Sequence, residues 1–472
     1  MRKVTGPSLL ANSACLLMIL GIIACSDEFP MHDPGEYAIF PTVAAWDRDR
    51  FVVVWHSNYL DTEDFDVAGR VFDVKNNKAG ERFLISKELN IDPELPILTP
   101  PAVAVLQNGG FVVAWTSRSP DYPLDDDLNI SAQIRNYDGS PRSEKFQVNQ
   151  SRSVFERERS GSVAELPGDR FVVVWIKDSI NSHGIYGRVF DGQGRPLSGN
   201  FVIDERSSGY FPYSNTSVIA LKDGSFVVGW PDFDDVESSI GVFGQRWRYS
   251  GSESSVMSGK VESLSSVFRM NTFVVGTQRA LSMTALSGGG FVAAWHSCGP
   301  SPQDGDACGV FARRYDASAR FIDREEFAVH TTTRGHQIEP ALASSPVNEN
   351  AFLALWTSED VTGNSIAGIF GQHFDGQGRR HGCEFRVNSD PQGGHLHDNA
   401  SVVYLGSSSR QEFVAAWDRD WYFIFQEFEG IPQGVYSRYL PAVAKFTVCT
   451  NELGVLREVS HDTRAIFPRA DP

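Results

Sequence analysis

The chain is poor in positive charge, cysteine and methionine for its length: 472 residues hold 42 Lys and Arg against 59 Asp and Glu, with 6 Cys and 6 Met, for a formal net charge of −17. Scarcity of basic residues excludes binding to nucleic acid or anionic lipid through bulk electrostatics, because both need a basic surface. Beyond the first 25 residues no apolar run is long enough to span a bilayer, and no amphipathic helical period stands out. Catalytic signatures are also missing: there is no nucleophile elbow, P-loop, dinucleotide loop or zincin helix. Gly192-Gln-Gly194 and Gly376-Gln-Gly378 lie in hairpin-turn contexts, without the strand-to-helix passage a phosphate loop needs. Apolar residues, by contrast, make up 41% and aromatic residues 12%, which supports a large core and excludes a disordered chain.

The N-terminus carries an address. Arg2 and Lys3 precede an apolar stretch, Leu16 to Ile23, that is too short for a stable membrane span and has the build of a secretory signal. It ends Ile22-Ile23-Ala24-Cys25, which resembles the bacterial lipobox, so Cys25 is expected to take the lipid and become the mature N-terminus. Ser26 follows where an inner-membrane retention signal would have Asp, which implies an outer-membrane or surface lipoprotein held to the membrane by its lipid alone. With Cys15 in the signal and Cys25 lipidated, Cys298, Cys308, Cys383 and Cys449 remain, an even number suited to an oxidising compartment. Cys298 and Cys308 flank one loop between expected hairpin neighbours and should pair. Cys383 and Cys449 fall in adjacent units and form the second candidate pair.

The body is one motif used seven times. Phe-x-x-x-Trp recurs at Phe51/Trp55, Phe111/Trp115, Phe171/Trp175, Phe226/Trp230, Phe291/Trp295, Phe352/Trp356 and Phe413/Trp417, at intervals of 60, 60, 55, 65, 61 and 61 residues. The residues between Phe and Trp are nearly all Val or Ala, the pattern of a strand buried on both faces. A small-apolar strand such as Pro101 to Leu106 precedes each block through Gly, Asn or Asp turns, and an aromatic-ended strand such as Gly187 to Asp191 follows, then a piece such as Phe201 to Asp204. Four antiparallel strands in each of seven units predict an all-β, seven-bladed β-propeller. The expected division is a signal peptide over 1–24, a lipidated linker over 25–37, the propeller over 38–460 and a tail over 461–472. Ala465-Ile-Phe-Pro468 repeats Ala38-Ile-Phe-Pro41, which places that tail beside the N-terminal strand at ring closure, and the Ser-rich stretch between Tyr249 and Ser265 reads as a surface loop.

Units built as Gly-Gly-Phe-Val-Val-x-Trp, an acidic loop, Arg-x-Phe-Asp and Phe-x-Val-Asn resemble repeats of large bacterial exported proteins and are similar in plan to the FG-GAP propellers of integrin α-chains. The resemblance covers nearly the whole mature chain and implies the fold; propellers host binding, scaffolding and catalysis alike, so it implies little about function. The Asp-box of sialidase propellers is missing.

The recurrent chemical feature is an Asp-x-Asp after the Trp strand in five units: Asp64/Asp66, Asp125/Asp127, Asp232/Asp234, Asp304/Asp306 and Asp418/Asp420. Alternate residues of an extended chain point to one side, so each pair is a candidate ligand set for calcium, although the plainer reading of the ten together is a solvated acidic rim. His395 and His397 form a candidate imidazole pair in a connecting loop. Directly after the Trp stand His56, Thr116, Ile176, Pro231, His296, Thr357 and Asp418, a set too mixed for a metal cage. The expected function is therefore non-catalytic: a monomeric envelope lipoprotein whose loop face binds a protein or glycan partner. A polysaccharide hydrolase or lyase, which needs carboxylates converging on the central axis, is the first alternative, and a structural or adhesive component is the second.

Overall fold

A computed structural model describes residues 29–33, 36–46, 49–59, 66–76, 78–86, 99–118, 128–150, 156–179, 183–205, 215–234, 239–251, 259–299, 307–359, 368–388, 397–406, 411–419, 434–441, 448–450 and 456–458. Among these there is no helix, and the strands pair almost entirely antiparallel. Each Trp-bearing strand is the second of an antiparallel run. In unit three, Glu156–Leu166 pairs with Arg170–Ser179, which pairs with His183–Asp191, which pairs with Phe201–Asp204. Unit six repeats this with His336–Ser344, Phe352–Glu359, Gly368–Phe374 and Arg380–Arg386.

The Phe-x-x-x-Trp strand is apolar on both sides because it is covered on both sides. All seven tryptophans are at most 1% exposed. Alternate residues of that strand enter different cores: Val172 and Val174 pack with Trp230 of unit four, while Phe171, Val173 and Trp175 pack with Val112 and Ala114 of unit two. Seven such apolar clusters each straddle two successive units, and one of them joins Trp55 of unit one to Val414 and Ala416 of unit seven. First strands touch their neighbours all the way round, with Glu36–Ala45 of unit one meeting His397–Gly406 of unit seven. Sheets stacked radially about an axis lined by their first strands are a propeller-type arrangement.

The seam between the last and first units is closed by the N-terminus. Phe29–Pro30 is the edge strand of unit seven, with Phe29 opposite Ser437 and Pro30 opposite Tyr436 on Gly434–Pro441. Met31 is fully buried in the unit-seven to unit-one core, and the Glu36 carboxylate accepts from Asp33 N (2.9 Å), Trp55 Nε1 (2.9 Å) and Arg82 Nε (3.0 Å). Residues 29–33, expected to belong to a linker, are thus part of the folded body. The tail over 461–472 lies outside the described residues. In unit four the third strand runs on to Ser250 and pairs with Lys260–Ser263, so the end of the Ser-rich stretch is sheet, because its Val261 packs onto the core that holds Trp247.

The two ends of the ring differ. At one end the first and second strands, and then the third and fourth, are joined by tight turns. Gly109 and Gly110 have φ of 90° and 84°, and a Cβ at Gly110 would stand 2.1 Å from the Arg135 carbonyl oxygen. At the other end lie the connection after every Trp strand and the connection into every unit, since His336 opens its strand opposite Glu359 and His397 opens its strand opposite Arg419. These two sets of connections share one face, which we call the loop face. Trp175→Ala should cost about 3–5 kcal/mol in urea unfolding, because the cavity opens between two rigid sheets; an unchanged midpoint would contradict stacked, doubly buried second strands.

Candidate functional site

Five first strands carry an irregularity at the same place. Phe40, Ser160, Ala280, Glu339 and Asn399 all have φ between 50° and 57°, each where the register with the second strand shifts. An L-residue in left-handed backbone is strained by roughly 1–2 kcal/mol, and its repetition marks a built feature. The bulge frees N–H groups to reach the preceding unit. Phe40 N donates to Asp418 Oδ2 (3.0 Å), Glu339 N to His296 Nδ1 (3.3 Å) and Asn399 N to Glu339 Oε2 (3.4 Å). Two residues beyond the bulge, Ser162, Ser282 and Ser401 accept from Val218 N, Leu342 N and Val43 N of the following unit, each at 3.2 Å.

The residues after Trp55, Trp115, Trp295 and Trp417 make polar contacts at this inner ring. Beside His296 and Asp418, His56 Nε2 meets Thr99 O at 2.9 Å, and Thr99 Oγ1 meets Thr116 Oγ1 at 3.1 Å. The contacts at that position differ from unit to unit, Ile176 packing into the apolar core between units three and four.

Between units six and seven the ring gathers carboxyls. Glu339 stands at the unit-six bulge, Asp398 and Asn399 at the unit-seven bulge, and Asp418 follows Trp417; Asp398 faces the Glu339 carboxyl and the Thr357 hydroxyl. Asp418 is fully buried, and its Oδ2 accepts from Asn399 Nδ2 (2.9 Å) as well as from Phe40 N. Burial first, and the Asp398 charge second, push the Asp418 carboxyl up to about 8. Burial and Glu359 raise Asp398 to about 6, and burial with the charges of Asp398 and Asp418 raises Glu339 well above the ordinary range. On the other side of Glu339, burial followed by the charges of Arg279 and His336 lowers His296 to about 3, so its imidazole is neutral and free to accept the Glu339 N–H. Glu339 and Asp398 stand on first strands, which line the axis, while Asp418 is fully buried beside them on the Trp-bearing second strand; with their protons held toward neutral pH, the two axis-lining carboxyls can act chemically as proton donors.

The residues expected to form the site are distributed as follows. Asp418 is part of this buried group and not of a solvated rim, because the position after the Trp faces the inner ring. Asp234 pairs with Arg269 at 2.5 Å, Asp232 is buried with its Oδ1 accepting from Phe233 N, and Asp66 opens the third strand of unit one. Asp64, Asp125, Asp127, Asp304, Asp306, Asp420, His395 and Cys25 lie outside the described residues, and no group of three or more His, Cys, Asp or Glu among the described residues is arranged to hold a metal ion. Cys298 and Cys308 are joined, as expected, across neighbouring strands. Cys383 is disulfide-bonded as well, and Val448–Thr450, which contains Cys449, runs against the strand that carries it. Glu339 and Asp398 were not expected as site residues; the available signal was a polar residue at the entry of the first strand, Glu339 before Pro340 as Phe40 stands before Pro41.

No family model and no curated protein matches the chain. Solved structures similar in shape include a protein of unknown function from Dyadobacter fermentans (10% identity, 89% of this chain and 98% of that one, TM-score 0.48). They also include the polysaccharide lyase Uly1 (8%, 85% and 89%, TM-score 0.45) and the β-propeller domain of the Trilobed protease from Pyrococcus furiosus (11%, 86% and 97%, TM-score 0.45). The propeller arrangement stands on the strand pairing and packing described above, and no activity is carried over from these proteins.

The carboxyl group sets a pH dependence. Folding raises these carboxyls above the unfolded value of 3.8 for Asp, so their contribution to stability is complete below that value and is lost as the pH rises through about 6 and then about 8. The melting temperature should therefore fall by several degrees between about pH 5 and about pH 9. Asp418→Asn keeps an oxygen for Phe40 N and should flatten that fall and raise stability at the alkaline end. An unchanged slope in the variant would show that the group is not what titrates.

Proposed function

We propose that the chain is a seven-bladed propeller of four-stranded blades, exported, lipid-anchored through Cys25 at the outer membrane or cell surface, monomeric, and non-catalytic, and that its loop face binds a protein or glycan partner. The observation that carries this reading is the difference between the two ends of the ring. One end is closed by tight turns that leave little to vary, whereas the other gathers connections such as those between Arg118 and Leu128, Cys298 and Cys308, Glu359 and Gly368, and Arg419 and Gly434. Loops held on a rigid scaffold are where recognition is built without disturbing the core. These connections are acidic, and five of the ten aspartates considered for calcium lie in them, with Asp64 in the corresponding connection of unit one.

The test is co-sedimentation with isolated native envelope, with Ca²⁺ and with chelator. Replacing residues 121–126 and 301–306 by Gly and Ser should weaken binding at least about tenfold with the melting temperature kept. Gln193→Ala with Gln377→Ala, at the tight turns, should leave it unchanged. Loss on the tight-turn side alone would refute the assignment of the face.

A second reading, hydrolysis or elimination on a polysaccharide, is favoured by Glu339 and Asp398 meeting on the axis-lining first strands. It predicts reducing ends or unsaturated products from envelope polysaccharides, abolished by Glu339→Gln. No product from the wild-type chain would remove this reading.

A further inference from the structure

Resting on the lipid-anchor reading above, we infer that the tight-turn face is the side that lies on the bilayer and that the loop face points away from it. The direction of the N-terminal strand carries the argument. Phe29 stands opposite Ser437 and Pro30 opposite Tyr436, so the chain travels toward Gly434, the loop-face end of that strand, and has come from the tight-turn side. Its exit is fixed: Met31 is fully buried, and Asp33 pairs with Arg70 at 2.5 Å. Cys25 is four residues before Phe29 and can lie at most about 14 Å from it. A reversal toward the loop face would consume a four-residue turn and leave no length for the return.

Two independent features of the surface agree. Of the six large apolar side chains that are exposed among the described residues, four sit in turns of this face: Tyr137 (39%), Phe321 (61%), Ile322 (54%) and Val347 (51%). Aromatic and apolar side chains of this kind suit the headgroup boundary of a bilayer. Arg195, Arg320 and Arg379 project from the same face, each balancing the aspartate four residues before it, so these turns are locally neutral. The opposite face carries the acidic connections, which an anionic leaflet repels.

The experiment uses the full lipidated chain in vesicles of phosphatidylethanolamine and phosphatidylglycerol containing a nitroxide-headgroup lipid. A fluorophore is attached at Ser318→Cys or Gln377→Cys on the tight-turn face, or at Thr333→Cys on the loop face. Strong quenching at the first two positions and little at the third is expected, with a partial loss when Phe321→Ser and Ile322→Ser are combined. A long Gly-Ser insertion after Ser26 should even out the three positions. Equal quenching without the insertion, or stronger quenching at Thr333→Cys, overturns the orientation. The mass of the N-terminal peptide is read in the same preparation: an unmodified Cys25 overturns the lipid-anchor reading itself, and the orientation with it, whereas lipidated protein with even quenching overturns the orientation alone.

Discussion

At Phe40, Ser160, Ala280, Glu339 and Asn399 the first strand takes an extra residue in left-handed backbone, and at Phe40, Glu339 and Asn399 the amide of that residue reaches across to the unit before. A regular strand would keep those N–H groups in its own ladder, and adjacent units would then meet through apolar contact alone. Apolar contact holds units together but does not fix how far one may slide along the next, because it has no direction. The bulge hydrogen bonds and the serines two residues beyond them supply that direction. The local strain recurs where each unit is registered on its neighbour, and the inner ring depends on it.

The same geometry explains why acidic groups are buried where the charge costs most. Asp418 closes the contact from unit seven to Phe40 of unit one, and Glu339 closes the one from unit six to Asn399 of unit seven. Each is useful as an acceptor, and after burial it is the Asp398 charge that adds most to the energy of ionising both, with Asp418 adding to that of Glu339. Protons retained near neutral pH follow from burial of these two acceptors next to Asp398. In unit five the acceptor is the neutral His296 imidazole, which performs the same linkage without a charge.

The second strand was legible in the sequence because burial on both faces removes the need for alternation, and Phe-Val-Val-Val-Trp states this directly. Tight turns were legible through Asn108-Gly109-Gly110 and Asp223-Gly224, where positive φ restricts the residue type. The bulge was not, because of the residues that follow it only Pro41 and Pro340 are alike, while Gly161, Leu281 and Ala400 share no chemistry with them. Asp418 was grouped with the surface aspartates because Asp-x-Asp spacing says nothing about which member stands next to a buried tryptophan. Glu339 and Asp398 are brought together by stacking of units, a relation that no local pattern encodes. Phe29–Pro30 is too short to read as a strand and acquires a partner only when Gly434–Pro441 arrives from the far end of the chain.

Closure of the ring by the N-terminal strand is the claim on which the inner ring and the proposed orientation on a membrane both depend. Phe29→Cys with Ser437→Cys puts thiols on directly opposed residues of an antiparallel pair, within bridging reach. Non-reducing peptide mapping of the oxidised protein should find these two residues joined, with a higher melting temperature than the reduced form. Thiols that stay free under oxidation, with no change in melting, would show that the first and last units are not held together by this strand.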